Sequence, residues 1–106
     1  MVDPNEILSA ARLQIEELCT EYRVRRLQLF GSAAKGGWNG ESSDFDFVVE
    51  FDRPPEGMHL ADQYFDFKEK LEGILGRTVD LVELRAVRNP YFRREIERTS
   101  KEWYAA

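Results

Sequence analysis

From residue 45 to residue 51 the chain reads Phe-Asp-Phe-Val-Val-Glu-Phe, and this alternation restricts it to a half-buried strand. Over residues 44–51, Phe45, Phe47, Val49 and Phe51 point to one face. Asp44, Asp46, Val48 and Glu50 point to the other. The apolar face needs a core to lie on, and the acidic face needs a reason to exist, because strand interiors disfavour aspartate.

The rest of the chain supplies that core. Asp3-Pro4-Asn5-Glu6 is a helix start, with Asp3 as N-cap, Pro4 in the first helical position and Glu6 three residues after the cap. Ile7, Ala11, Ile15, Leu18 and Tyr22 follow at spacings of three and four, with Leu8 and Cys19 beside them. That stripe predicts a helix of about five turns with one buried side. Residues 24–30, with Leu27, Leu29 and Phe30, read as a strand ending at Gly31-Ser32. Ala33-Ala34-Lys35 allows one helical turn before a glycine-rich loop over residues 36–43. After a loop at residues 53–57, Leu60, Tyr64, Phe67, Leu71 and Ile74 predict an amphipathic helix that ends between Gly73 and Gly76. Residues 78–84 read as a third strand, with Val79 and Leu81 on one face and Asp80 and Val82 on the other. Asn89-Pro90 opens a last helix, with Phe92, Ile96, Thr99 and Trp103 as its buried side.

Helices alternating with strands imply an α/β sheet covered by helices. The expected sheet is small and mixed, of about three strands, the first two antiparallel and the third parallel to the second. The long connection between the last two strands contains a helix, as a parallel crossover requires. At 106 residues the expectation is one domain over residues 1–106.

Charge and cysteine content narrow the function. Fifteen Lys and Arg against 20 Asp and Glu leave a net charge of −5, which argues against direct nucleic-acid binding by phosphate neutralisation. The single cysteine, Cys19, falls on the first helix's apolar stripe and excludes an internal disulfide. No apolar run nears the ~20 residues that span a membrane, and the acidic N-terminus is unlike a signal peptide. The expected location is cytoplasmic. Arg23, Arg25 and Arg26 read as a solvated junction; Arg85, Arg88, Arg93, Arg94 and Arg98 read as the exposed side of the last helix.

Asp44 and Asp46, one residue apart on a strand, project their carboxylates from the same face. Two such carboxylates resist joint ionisation unless a cation lies between them. A lone Asp-x-Asp is ordinarily a strand end facing water, but Asp80 repeats the oddity in a neighbouring strand, flanked by Val79 and Leu81. Magnesium accounts for all three, because it takes hard oxygen ligands from carboxylates and phosphates. The Gly31-Ser32 turn presents free backbone N–H groups suited to a phosphate, and an antiparallel pairing of the first two strands sets it beside Asp44.

Gly31-Ser32, eleven intervening residues, Asp44-Phe45-Asp46, and Asp80 within Val79-Asp80-Leu81-Val82 together resemble the DNA polymerase beta-type nucleotidyltransferase superfamily. Within it the chain is similar to the minimal nucleotidyltransferases. The resemblance implies that Asp44, Asp46 and Asp80 are catalytic and hold two magnesium ions, with ATP as substrate. It also implies that Gly31, Ser32, Lys35 and Ser43 bind the nucleotide. Many members carry Arg-Gly where this chain has Lys35-Gly36, and lysine meets a phosphate as a point charge without the bidentate fork. Trp38 either stacks on an adenine or covers the sheet edge.

Minimal members typically accompany a helical HEPN-domain toxin. The resemblance thus implies an antitoxin that transfers AMP from ATP to a hydroxyl of that partner, a tyrosine foremost. The alternative is a catalytically idle antitoxin of the same fold that neutralises its partner by binding alone. Retention of all three acids favours catalysis. Transfer to a small molecule such as an aminoglycoside is disfavoured by the chain's length. Arg53 and His59 mimic the spacing of a HEPN ribonuclease pair but fall in a predicted loop, which makes His59 a loop residue.

Overall fold

The computed structural model describes residues 3–31 and 45–106. Asp3 caps the first helix by accepting a hydrogen bond from the Asn5 N–H, and Pro4 takes the first turn, where its missing N–H costs nothing. The expected five-turn helix forms as two segments, α1 (Pro4–Ala10) and α2 (Arg12–Glu21), which meet at Ala11. The Ala11 N–H is shared between the Ile7 and Leu8 carbonyls, a tightened turn that leaves the buried stripe in line. Leu8, Ala11, Ile15, Leu18, Cys19 and Tyr22 are all buried.

β1 (Val24–Phe30) and β2 (Phe45–Phe51) pair antiparallel, as the sequence predicts. α3 (Leu60–Leu75) then crosses back, closed by Gly76 in the left-handed conformation at φ 66°. It delivers β3 (Val79–Glu83) parallel to β2. A short 3-10 turn, Leu84–Ala86, leads to α4 (Pro90–Thr99), whose N-cap Asn89 accepts from the Tyr91 and Phe92 N–H groups.

The chain then departs from the expected all-helical ending. Lys101–Ala105 is a strand, β4, paired antiparallel with β1, so the sheet has four strands in the order β3-β2-β1-β4 rather than about three. Trp103 therefore belongs to a strand, where the Arg12 guanidinium lies over its ring at 4.3 Å. Of the residues assigned to the last helix's buried side, Ile96 is buried while Phe92 remains 40% exposed.

The main core lies on one face of the sheet. Phe45, Phe47, Val49 and Phe51 from β2 join Leu27, Leu29, Val79 and Leu81 beneath α1, α2 and α3, with Phe67 edge-on to Phe51. Fully burying each large side chain contributes roughly 1.5–3 kcal/mol. Gln63 is buried among them and donates its amide to the Tyr22 and Asp52 carbonyls, closing two loop ends. On α3, Leu60 is 72% exposed, and the buried row is Gln63, Phe67, Leu71 and Leu75, with Tyr64 and Ile74 at its margin. Val48 and Ile96 are buried apart from that core, and Phe92 of α4 meets Phe30 of β1 edge-on at 6.3 Å. Since Phe30 and Val48 point away from the main core, α4 covers part of the second face.

Candidate active site

Strand pairing sets the acids. Phe30 is opposite Asp46 across β1 and β2, and Asp46 is opposite Asp80 across β2 and β3. All three side chains therefore form one row on the second face, with adjacent strands roughly 5 Å apart. Asp46 is half-buried and Asp80 is exposed, so the row opens toward solvent at the β3 side.

Gly31 closes the other side of the row. It turns the chain at φ 72°, a conformation that other residues adopt only with strain. A Cβ on Gly31 would fall 2.2 Å from the Asp46 Oδ2 atom. Glycine is thus required twice, for the turn itself and for its close approach to the carboxylate. The structure brings together Gly31, Asp46 and Asp80 as the sequence predicts. Ser32, Lys35, Trp38, Ser43 and Asp44 lie outside the described residues.

β3 is an edge strand, yet two of its backbone groups are taken by side chains of α3. Glu72 of α3 accepts from the Val79 N–H at 2.9 Å, and the Tyr64 hydroxyl donates to the Leu81 carbonyl. Side chains from α3 thereby blunt an edge that would otherwise invite another strand. Burial, then the negative charges of Asp80 and Glu83, holds the Tyr64 phenol above its ordinary value and keeps it protonated as a donor. Sequence reasoning placed Tyr64 only as a core residue, because its proximity to Asp80 arises from the crossover and leaves no local signal.

A groove of about 530 Å³ runs along this edge, lined by Tyr64, Val82, Glu83, Val87, Arg88 and Phe92 among others. A larger surface groove of about 650 Å³ lies between α2 and α3 and belongs to the opposite side of the sheet from the acids. Cys19 takes no part in the acidic row. Its thiol is pushed up to about 12 by burial and by nearby Glu16, which makes it an inert core group.

The acids suit a hard divalent cation. Two carboxylates at adjacent register share one face, and the missing Cβ of Gly31 leaves room for the Asp46 carboxylate between the turn and Asp80.

The chain belongs to the nucleotidyltransferase domain family, whose model matches residues 11–101. It is accordingly a nucleotidyltransferase. A chain of Methanocaldococcus jannaschii provisionally named a protein adenylyltransferase is 38% identical over 93 residues, covering 88% of this chain and 90% of its own length. A solved structure provisionally named a minimal nucleotidyltransferase is 35% identical, with a TM-score of 0.72, covering 91% of this chain and 92% of the other. The fold is also shared, at 19% identity and a TM-score of 0.60, with a Shewanella oneidensis structure of a tri-AMPylated HEPN toxin in complex with an MNT antitoxin. That match covers 92% of this chain and 72% of the other.

Proposed function

We propose that this nucleotidyltransferase transfers AMP from ATP to a hydroxyl, foremost a tyrosine, of a HEPN-type toxin partner and so acts as its antitoxin. The observation that carries this reading is the row of Asp46 and Asp80 at adjacent register, exposed on one side and bounded by the Gly31 turn on the other. The adenylyltransferase name of a 38%-identical relative supports the type of transfer. The HEPN toxin complex that shares the fold supports the class of partner.

In this reading Asp44, Asp46 and Asp80 hold two magnesium ions, and Gly31, Ser32, Lys35 and Ser43 hold the triphosphate. When bound, the metal supplies positive charge that offsets the phosphates and acidifies the acceptor hydroxyl. Asp46, central in its row, would hold the cation that meets the nucleotide's phosphates beside the Gly31 turn. Asp80, the exposed carboxylate, faces the acceptor and takes up its proton. The acceptor oxygen bonds to the α-phosphorus, the bond to the β-phosphate oxygen breaks, and pyrophosphate leaves.

The test is to incubate the purified chain with ATP, magnesium and a HEPN-domain partner, and to weigh the intact partner by mass spectrometry. The expected result is added AMP that requires the divalent metal. Neutralisation of the partner with no added AMP under any divalent metal contradicts the reading and leaves inhibition by binding alone.

A further inference from the structure

We propose that the groove along the β3 edge docks the acceptor segment of the protein substrate, seating an apolar side chain in the groove and acidic residues against Arg85 and Arg88. The inference rests on the transfer reaction proposed above and specifies where its second substrate binds.

The first argument is directional. In a displacement at phosphorus, the incoming oxygen and the leaving pyrophosphate lie on opposite sides of the reacting atom. The Gly31 turn flanks Asp46 on the β1 side, so a triphosphate held there places the incoming hydroxyl on the β3 side, at Asp80. The groove belongs to that same side, since Leu81, Val82 and Glu83, which follow Asp80 on β3, line it.

The second argument concerns the surface itself. Phe65, Tyr91 and Phe92 are three large apolar residues that remain 63%, 77% and 40% exposed. Phe92 lines the groove, Tyr91 precedes it on α4, and the Phe65 ring lies 5.0 Å from that of Tyr64. Exposed aromatics in and beside a groove mark a protein-binding surface.

Charge identifies the occupant. The chain is acidic as a whole, yet residues 84–94 hold four arginines and no acid. Arg93 is tied to the Leu84 carbonyl and to Glu97. Among the described residues Arg85, Arg88 and Arg94 have no carboxylate partner, and Glu83 is the one acid lining the groove. A segment bearing carboxylates complements this surface. Because Glu72 already takes the Val79 N–H and Tyr64 the Leu81 carbonyl, the segment docks through its side chains rather than as an added strand.

The test compares Arg88→Glu and Val87→Asp with Arg25→Glu, an exposed charge reversal at the far end of β1. With the HEPN-domain partner as acceptor, the two groove variants should raise its KM at least about tenfold while kcat and ATP affinity hold. Arg25→Glu should change neither. Unchanged KM in both groove variants overturns the proposal, as does an equal rise in Arg25→Glu, which would mean that overall charge is responsible. Loss of a self-dimer in the groove variants with no change in KM also overturns it, assigning the surface to a second copy of this chain. If the wild type adds no AMP, the transfer reading fails separately, and the dissociation constant of the partner complex still tests the groove by the same variants.

Discussion

On one face of the sheet, Phe45, Phe47, Val49 and Phe51 lie beneath three helices. On the other, α4 covers part of the surface and leaves Asp80 exposed at one end of the row. Both faces come from the same strands, one residue out of phase. Stability is concentrated where side chains interdigitate, while the acids occupy a face where packing does not have to accommodate them. A one-residue slip of β2 would exchange the two sets, so the core that buries the phenylalanines also fixes the register of Asp46 opposite Asp80.

Breaking the packed face should have the largest effect on stability. Phe47→Ala removes a fully buried ring and should cost about 3–5 kcal/mol in chemical denaturation, much of a small domain's total. A loss below about 1 kcal/mol would mean that this face is not the core. Gln63→Ala comes next. It strands the Tyr22 and Asp52 carbonyls that the buried amide now satisfies, at a cost of about 1–3 kcal/mol with adenylyl transfer per folded molecule unchanged.

Gly31→Ala tests the boundary between the faces. The left-handed backbone alone should cost roughly 1–2 kcal/mol, and the added methyl displaces the Asp46 carboxylate, so activity should fall more than stability. Nucleotide affinity and melting temperature, measured together, separate the two effects. If both match wild type, the close approach of Gly31 to Asp46 has no functional weight.

The smallest effect is expected at Cys19. Its folded-state thiol is raised to about 12 from an ordinary value near 9, so the unfolded chain ionises first. The stability associated with the neutral thiol is complete below about pH 9 and is lost as pH rises toward 12. Alkylation at pH 8 should therefore track unfolding, and rapid labelling of the native protein would contradict the burial.

The two faces also differ in how far the sequence reveals them. β1, β2 and β3, their pairing directions and the helix starts at Asp3 and Asn89 follow from alternation and capping residues that act locally. So does the convergence of Gly31, Asp46 and Asp80, once the first two strands are paired antiparallel. β4 was hidden because Trp103 continues the helical spacing of Phe92, Ile96 and Thr99, and because an edge strand alternates weakly. Gln63 gave no signal, since its two partners are carbonyls brought near only by the fold. The exposed Leu60 and Phe92 were expected to be buried because periodicity locates a stripe without fixing its margins.

Asp80→Asn tests the division between the faces most directly. The substitution keeps the side chain's size, removes its charge and leaves the packed face untouched. Adenylyl transfer to the partner should fall at least about a hundredfold, while the melting temperature holds or rises as like charges on the row are relieved. A variant that transfers AMP at the wild-type rate, or that loses activity only because it unfolds, would contradict the account.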